Sequence, residues 1–144
     1  MIGGYKMIRE IVKDTTFLQQ KSTLADINAD KELFADLVDT AKANVPNCVG
    51  LAAPQIGILK RAIAVLTNTG WKVLVNPTII ARSKETYNTF EGCLSLDGER
   101  EVKRYKWIKV AFQQPNGKKC TLQLNGFVAE IVQHEVDHLN GILI

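Results

Sequence analysis

The sequence predicts an α+β domain in which antiparallel β-sheet packs around a C-terminal helix, with a second helix near the N-terminus. Three observations carry this. Apolar residues recur at helical spacing toward both ends, β-branched runs broken by glycine-containing turns fill the middle, and the two kinds of segment do not alternate as parallel sheet requires. The chain has 144 residues, 46% hydrophobic and 23% charged, enough for one well-enclosed core and short for two. A single domain over 1–144 is therefore expected.

Met7 offers an alternative start, so residues 1–6 read either as a leader or as a native extension and are assigned no function. Between Asp30 and Ala43, Leu33, Phe34, Leu37, Val38 and Ala41 recur at helical spacing, with acids in front and Lys42 behind, as the helix dipole favours. A Pro46-Asn47-Cys48 break follows. The stretch Gly50 to Gly57 is small and apolar with Pro54 inside it. It suits neither an exposed helix nor an ordinary strand, and it would let backbone approach a ligand closely. Strands are expected over Arg61–Leu66, Trp71–Ile80, Tyr105–Gln113 and Lys118–Leu124, with turns at Asn68-Thr69-Gly70 and Pro115-Asn116-Gly117. From Phe127 to Asn140 the period is helical again through Val128, Ile131, Val132 and Leu139, and Gly141 is the stop.

Composition excludes several classes. Eighteen basic against fifteen acidic residues leave +3 with no block of like charge, so no direct nucleic-acid contact is expected. No apolar run approaches the roughly 20 residues of a bilayer crossing, so no membrane role is expected. The N-terminus lacks the plan of a secretory signal, which points to the cytoplasm, and there Cys48, Cys93 and Cys120 stay thiols.

The chemistry lies in His134-Glu135-Val136-Asp137-His138. At about 100° per residue the two histidines fall about 40° apart on one helical face, one turn apart, so both imidazoles reach one metal ion. Glu135 lies about 60° beyond His138, placed to serve a water on that ion as base without ligating it. A pair of helical histidines is usually accidental, but these are the only two in the chain and both fall in this pattern. A catalytic site needs a third protein ligand and an open position. Neither His nor Glu occurs in Leu139–Ile144, so the ligand lies upstream and is a thiolate or carboxylate. Cys93, beside Gly92, is the first candidate and Cys48 the second; Cys120 alternates within a strand and reads as filler.

Three segments, Val49-Gly50-Leu51-Ala52-Ala53-Pro54-Gln55, Glu91-Gly92-Cys93-Leu94-Ser95 and Gln133-His134-Glu135-Val136-Asp137-His138, resemble in order and spacing the signature motifs of peptide deformylases. That resemblance, from about Met7 to Ile144, implies hydrolytic removal of the formyl group from the N-formylmethionine of nascent bacterial proteins, releasing formate. It implies one divalent metal, natively ferrous iron with zinc, nickel or cobalt as alternatives, held by Cys93, His134 and His138. It makes Glu135 the general acid/base and Gln55 and the Leu94 N–H donors to the formyl oxygen. It sets the backbone of Val49, Gly50 and Gly92 against an extended substrate peptide. Phe127 and Ile131 are candidates for the methionine pocket or for ordinary core.

Two positions depart from the family pattern: Cys48 replaces a usual glycine at the groove edge, and Leu96-Asp97-Gly98 replaces a frequent proline. The chain also stops six residues after His138, so ribosome proximity without a C-terminal docking helix is expected. A general metallopeptidase and a peptide-binding protein without turnover stay open as other readings; Gln55 and Glu135 argue against the second, since a structural metal site needs neither.

Overall fold

The computed structural model describes residues 7–144, so the reading of residues 1–6 lies outside the described residues. A short helix α1 (Thr15–Leu18) is capped by the Asp14 carboxylate, which accepts the Thr16 and Phe17 N–H groups. Helix α2 (Lys31–Ala43) lies within a residue of its expected bounds. Then come β1 (Gly50–Ala52), a 3₁₀ turn (Ala53–Ile56), β2 (Ala62–Thr67), β3 (Gly70–Arg82), β4 (Thr86–Glu91), β5 (Arg100–Tyr105), β6 (Trp107–Gln113), β7 (Lys119–Asn125) and α3 (Gly126–Leu139).

The strands β1-β2-β3-β6-β7 form one sheet whose neighbours are all antiparallel, and β4 and β5 form a separate hairpin. The antiparallel α+β class is as expected. The small apolar stretch after Val49 divides into a strand, β1, and the 3₁₀ turn that Pro54 opens. The expected strand from Tyr105 is in fact two elements meeting at Lys106, and β4, α1 and most of β5 were not foreseen. Arg-Glu-Val-Lys-Arg-Tyr looks too polar for a strand that faces a core; its inward position is Arg104, which buries a charge pair in place of an apolar side chain.

The central sheet is covered on both faces. Leu33, Phe34, Leu37 and Ala41 of α2 pack on one side with Leu51, Ala62, Ala64 and Val75, and Ala129, Val132, Val136 and Leu139 of α3 pack on the other with Ile63, Val65, Leu74 and Val110. Side chains of a strand alternate between faces, so β2 needs apolar residues at every position and reads Ala-Ile-Ala-Val. Each large side chain fully buried here contributes about 2 kcal/mol. β3 carries a bulge between Val75 and Thr78. There Asn76 adopts φ 52°, accepts the Ala25 N–H at 2.8 Å and donates to the Ala25 carbonyl at 3.0 Å, tying the segment before α2 to the sheet. Gly141 ends α3 at φ 75°, and a Cβ there would overlap the Gln19 backbone.

Candidate active site

Helix α3 is amphipathic, but the face it turns into the molecule is not purely apolar. His134, Glu135 and His138 are all at least 94% buried, and buried polar groups are costly without partners. The partner of His134 comes from the β4–β5 hairpin. Its loop carries Cys93, Leu94 and Ser95, and its two strands end in register at Glu91 opposite Arg100.

Cys93 Sγ and one ring nitrogen each of His134 and His138 lie within 4.8 Å of one another, and the two Nε2 atoms are 3.2 Å apart. Two nitrogens bound tetrahedrally at about 2.05 Å from one zinc-sized ion stand about 3.3 Å apart. The nitrogen–sulfur donor set and its spacing therefore fit a divalent ion. Cys48 lies outside this cluster. Its thiol is buried, donates to the Gly50 carbonyl at 3.3 Å, and is pushed up to about 12 by burial and by the Glu135 charge. Cys120 is not core filler: it is half-exposed on β7, the edge strand, and its sulfur accepts a bond from Gln114. Cys93 itself donates to the Ile144 carbonyl at 3.2 Å.

Behind the cluster runs a chain of charge. Glu91 Oε1 lies 2.7 Å from His134 Nδ1, and both Glu91 oxygens accept from Arg104, at 2.6 and 2.9 Å. A third Arg104 nitrogen donates to Asp137 at 2.6 Å. Burial pushes Glu91 upward, but the bonds from Arg104 and His134 prevail and hold it at about 2. Burial likewise opposes the Arg104 charge, and its two carboxylates more than restore it. An ionised Glu91 on Nδ1 fixes a proton there, so Nε2 is the nitrogen that faces the cluster and would exchange its proton for a metal ion. The field at this point favours positive charge. Burial opposes an imidazolium at His134, yet Cys93 and Glu91 raise it to about 10, and burial with that neighbouring charge holds His138 down at about 3.

Glu135 is pushed up to about 7, first by burial, and its Oε1 has no hydrogen-bond partner in the protein. A buried carboxylate oxygen left open beside a metal-type cluster is what a base for an incoming water requires. Gly50 lies against it: a Cβ there would stand 2.7 Å from Glu135 Oε2 and 2.6 Å from Ile131. No comparable backing restricts Gly92, where a Cβ would meet the Gly98 carbonyl at 3.4 Å.

A groove of about 230 Å³ opens over this floor. Asn47–Gly50 form one wall, Phe90–Leu94 the other, and Phe127, Glu130, Ile131, His134 and Glu135 of α3 line the base. Val49, Gly50, Gly92 and Leu94 all line this groove. Phe127 is 62% exposed and so is not core, whereas Ile131 serves both core and groove. Gln55 is buried off the groove lining: its Oε1 accepts the Ala52 N–H at 3.0 Å, which turns Nε2 toward Ser95 Oγ at 3.2 Å. An amide nitrogen carries two protons, and Ser95 takes one.

Sequence reasoning gave no role to Arg104, Asp137, Tyr87 or Glu130 and none to the Glu91 side chain. One signal was available for Glu91: it lies two residues before Cys93 at a strand end, on the period-two face that points at the same centre.

The fold and this site define a metallohydrolase, with a helix-borne histidine pair, a cysteine from a neighbouring loop and a buried carboxylate beside them. Comparison with known proteins agrees. The family model described as polypeptide deformylase matches residues 8–144. A peptide deformylase of Clostridium beijerinckii is 46% identical over 96% of this chain and all of that protein. The crystal structure of a probable peptide deformylase from Synechococcus phage S-SSM7 superposes with TM-score 0.84 at 41% identity, covering 94% of this chain and 96% of that one. The Met-Ala-Ser-bound class I type b peptide deformylase of Acinetobacter baumannii superposes with TM-score 0.87 at 33% identity, covering 96% and 97%. The chain belongs to the polypeptide deformylase family, metal-dependent hydrolases that remove the formyl group from nascent peptides. No helix among the described residues is long and apolar enough to cross a membrane.

Proposed function

We propose that the chain is one catalytic domain that hydrolyses the formyl amide of N-formylmethionyl nascent peptides in the cytoplasm, with one divalent ion held by Cys93, His134 and His138. The observation that carries this is the convergence of those three donor atoms beside the unpartnered Glu135 oxygen. Ferrous iron is the native ion by this reading, with zinc, nickel or cobalt able to occupy the same mixed nitrogen–sulfur set. When bound, the ion acts as a Lewis acid and lowers the pKa of water at its open position.

The chain's own residues do the rest. Glu135, poised near neutrality by burial, takes a proton from the attacking water and returns it to the departing amine nitrogen. The carbonyl oxygen gains negative charge as the tetrahedral centre forms, and the Leu94 N–H with the second Gln55 Nε2 proton meets it. The Ala52 N–H fixes the Gln55 amide so that its donor end faces the Cys93–Ser95 loop. The peptide lies extended between Val49–Gly50 and Gly92, as an added strand would; the Met-Ala-Ser complex of the A. baumannii relative supports a peptide in this groove.

The test is formate release from a formyl-Met peptide by protein purified without oxygen and reconstituted with iron(II), beside the Glu135→Ala variant. Release that depends on Glu135 is expected. Absence of release from fully metal-loaded protein, or undiminished release by the variant, overturns the reading.

A further inference from the structure

The five-stranded sheet ends at β7, whose outer edge pairs with no other strand among the described residues. Proteins guard such edges with proline, bulges, very short strands or charged side chains. β7 has none of these devices across its middle. It runs from Lys119 to Asn125, pairs with β6 without a register shift, and its one charged residue is Lys119 at the start. Thr121, Leu122 and Gln123 are exposed, Leu122 to 49%.

The ladder says which backbone groups are free. The Gln114 N–H donates to the Lys118 carbonyl at 2.8 Å, where the β6–β7 turn opens into the sheet. Hydrogen-bonded pairs recur at every second residue of an antiparallel ladder, so Cys120, Leu122 and Leu124 direct their N–H and C=O groups at β6. Those of Lys119, Thr121, Gln123 and Asn125 point outward. This row is complementary to itself when inverted. Set antiparallel about Leu122, a second β7 brings its Gln123 opposite Thr121 and its Asn125 opposite Lys119, so every outward residue meets an outward residue. Each such pair exchanges two bonds, about eight in all. Leu122 meets Leu122 of the second copy in the closer, non-hydrogen-bonded kind of pair, with Cys120 opposite Leu124 on the same face. The two Lys119 side chains stand about 20 Å apart at opposite ends of the ladder, so no like charges are opposed.

We infer that β7 is a self-association edge: two copies of this chain join β7 to β7 about a two-fold axis at Leu122 and form one ten-stranded sheet. A second copy fits this edge without alteration, because the register that matches free groups to free groups also sets leucine on leucine and an amide on a hydroxyl. One strand pair is a small interface, so the dimer is weak, with Kd roughly 10–100 μM.

The test is sedimentation equilibrium of the iron(II)-loaded protein up to about 500 μM, where a monomer passing into a dimer is expected. T121E/Q123E sets glutamate against glutamate in this register and should raise Kd at least tenfold. T121E/Q123K sets glutamate against lysine and should return Kd to the wild-type value or below. Both positions are exposed, so the variants should melt within about 2 °C of the wild type at low concentration. Leu122→Cys in a Cys120→Ala chain should give a disulfide-linked dimer with diamide, and Gln123→Cys in the same chain should not, since only position 122 faces itself across the axis. A protein still monomeric at about 500 μM overturns the inference. So does a dimer indifferent to T121E/Q123E, a T121E/Q123K chain no tighter than T121E/Q123E, or crosslinking through position 123 in place of 122. Mass is read without turnover, so each of these results stands apart from the reaction proposed above.

Discussion

At the scale of single residues, Gly50 and Glu135 form one unit. A methyl group on Gly50 would press on both the Glu135 carboxylate and Ile131, and neither is the free end of an exposed chain. Gly50→Ala should cut kcat at least tenfold while leaving metal content near one per chain, because the ligands are untouched; metal analysis beside steady-state kinetics checks this, and an unchanged kcat would show that Glu135 can move aside. Cys93→Ala should lose metal and activity together, whereas Cys120→Ala should lose neither, since Cys120 sits on an edge strand away from the cluster. Cys48 has a pH signature. Its folded thiol titrates at about 12 against an ordinary 9.0, so between those values the unfolded chain has released a proton that the folded chain still holds, and stability falls as pH rises through that window. Urea melts at pH 8 and pH 10.5 should show a larger drop for the wild type than for Cys48→Ala, and Cys48 should resist iodoacetamide at pH 8 until the protein unfolds.

At the scale of elements, the β4–β5 hairpin and α3 are joined chiefly by polar contacts: the Arg104 pairs, the Gln133 bonds to the Tyr105 backbone and the Tyr87–Glu130 bond. Arg104 is 5% exposed and bonds carboxylates from both elements. Removing one partner from a buried pair strands the other, so Arg104→Leu should destabilise the fold by about 3–5 kcal/mol. It should also weaken metal affinity by ten- to a hundredfold through the freed Glu91–His134 link. Chemical denaturation and a competition assay with a metallochromic chelator read the two effects separately. Arg104→Lys should rescue little, because one ammonium cannot reproduce the paired bonds to Glu91 and the third to Asp137.

At the scale of the whole molecule, the metal-type cluster bridges two parts of the fold that do not share a sheet. Cys93 belongs to the hairpin loop and the histidines to α3, which packs on the five-stranded sheet. An ion that binds only the folded chain stabilises it by about 2.7 kcal/mol at a hundredfold excess over Kd. Chelation should lower Tm by several degrees, with hydrogen exchange rising first in residues 86–105. Equal Tm with and without metal would mean that the hairpin is held by its protein contacts, the Arg104 pairs and the Gln133–Tyr105 bonds among them, without the ion.

The helix-borne half of the site was legible in the sequence because it is local. His134, Glu135 and His138 owe their common face to the helical period, which any one turn of chain expresses, and the apolar stripe of α2 and the unbroken apolar run of β2 follow from the same periodicities. What the period could not express, tertiary structure decided. The residues themselves left Cys93 and Cys48 in competition as the third donor, and only the hairpin loop's position over α3 separates them, since Cys48 is folded under Gly50. The ion-pair chain from Asp137 through Arg104 and Glu91 to His134 joins residues 13 to 43 positions apart, and a strand that buries arginine instead of an apolar residue gives no hydrophobic alternation to read. Local pattern depends on the backbone's own geometry and is written in neighbouring residues. Long-range charge pairing depends on which surfaces meet, and that is fixed only when the sheet, the hairpin and the helix close around one another.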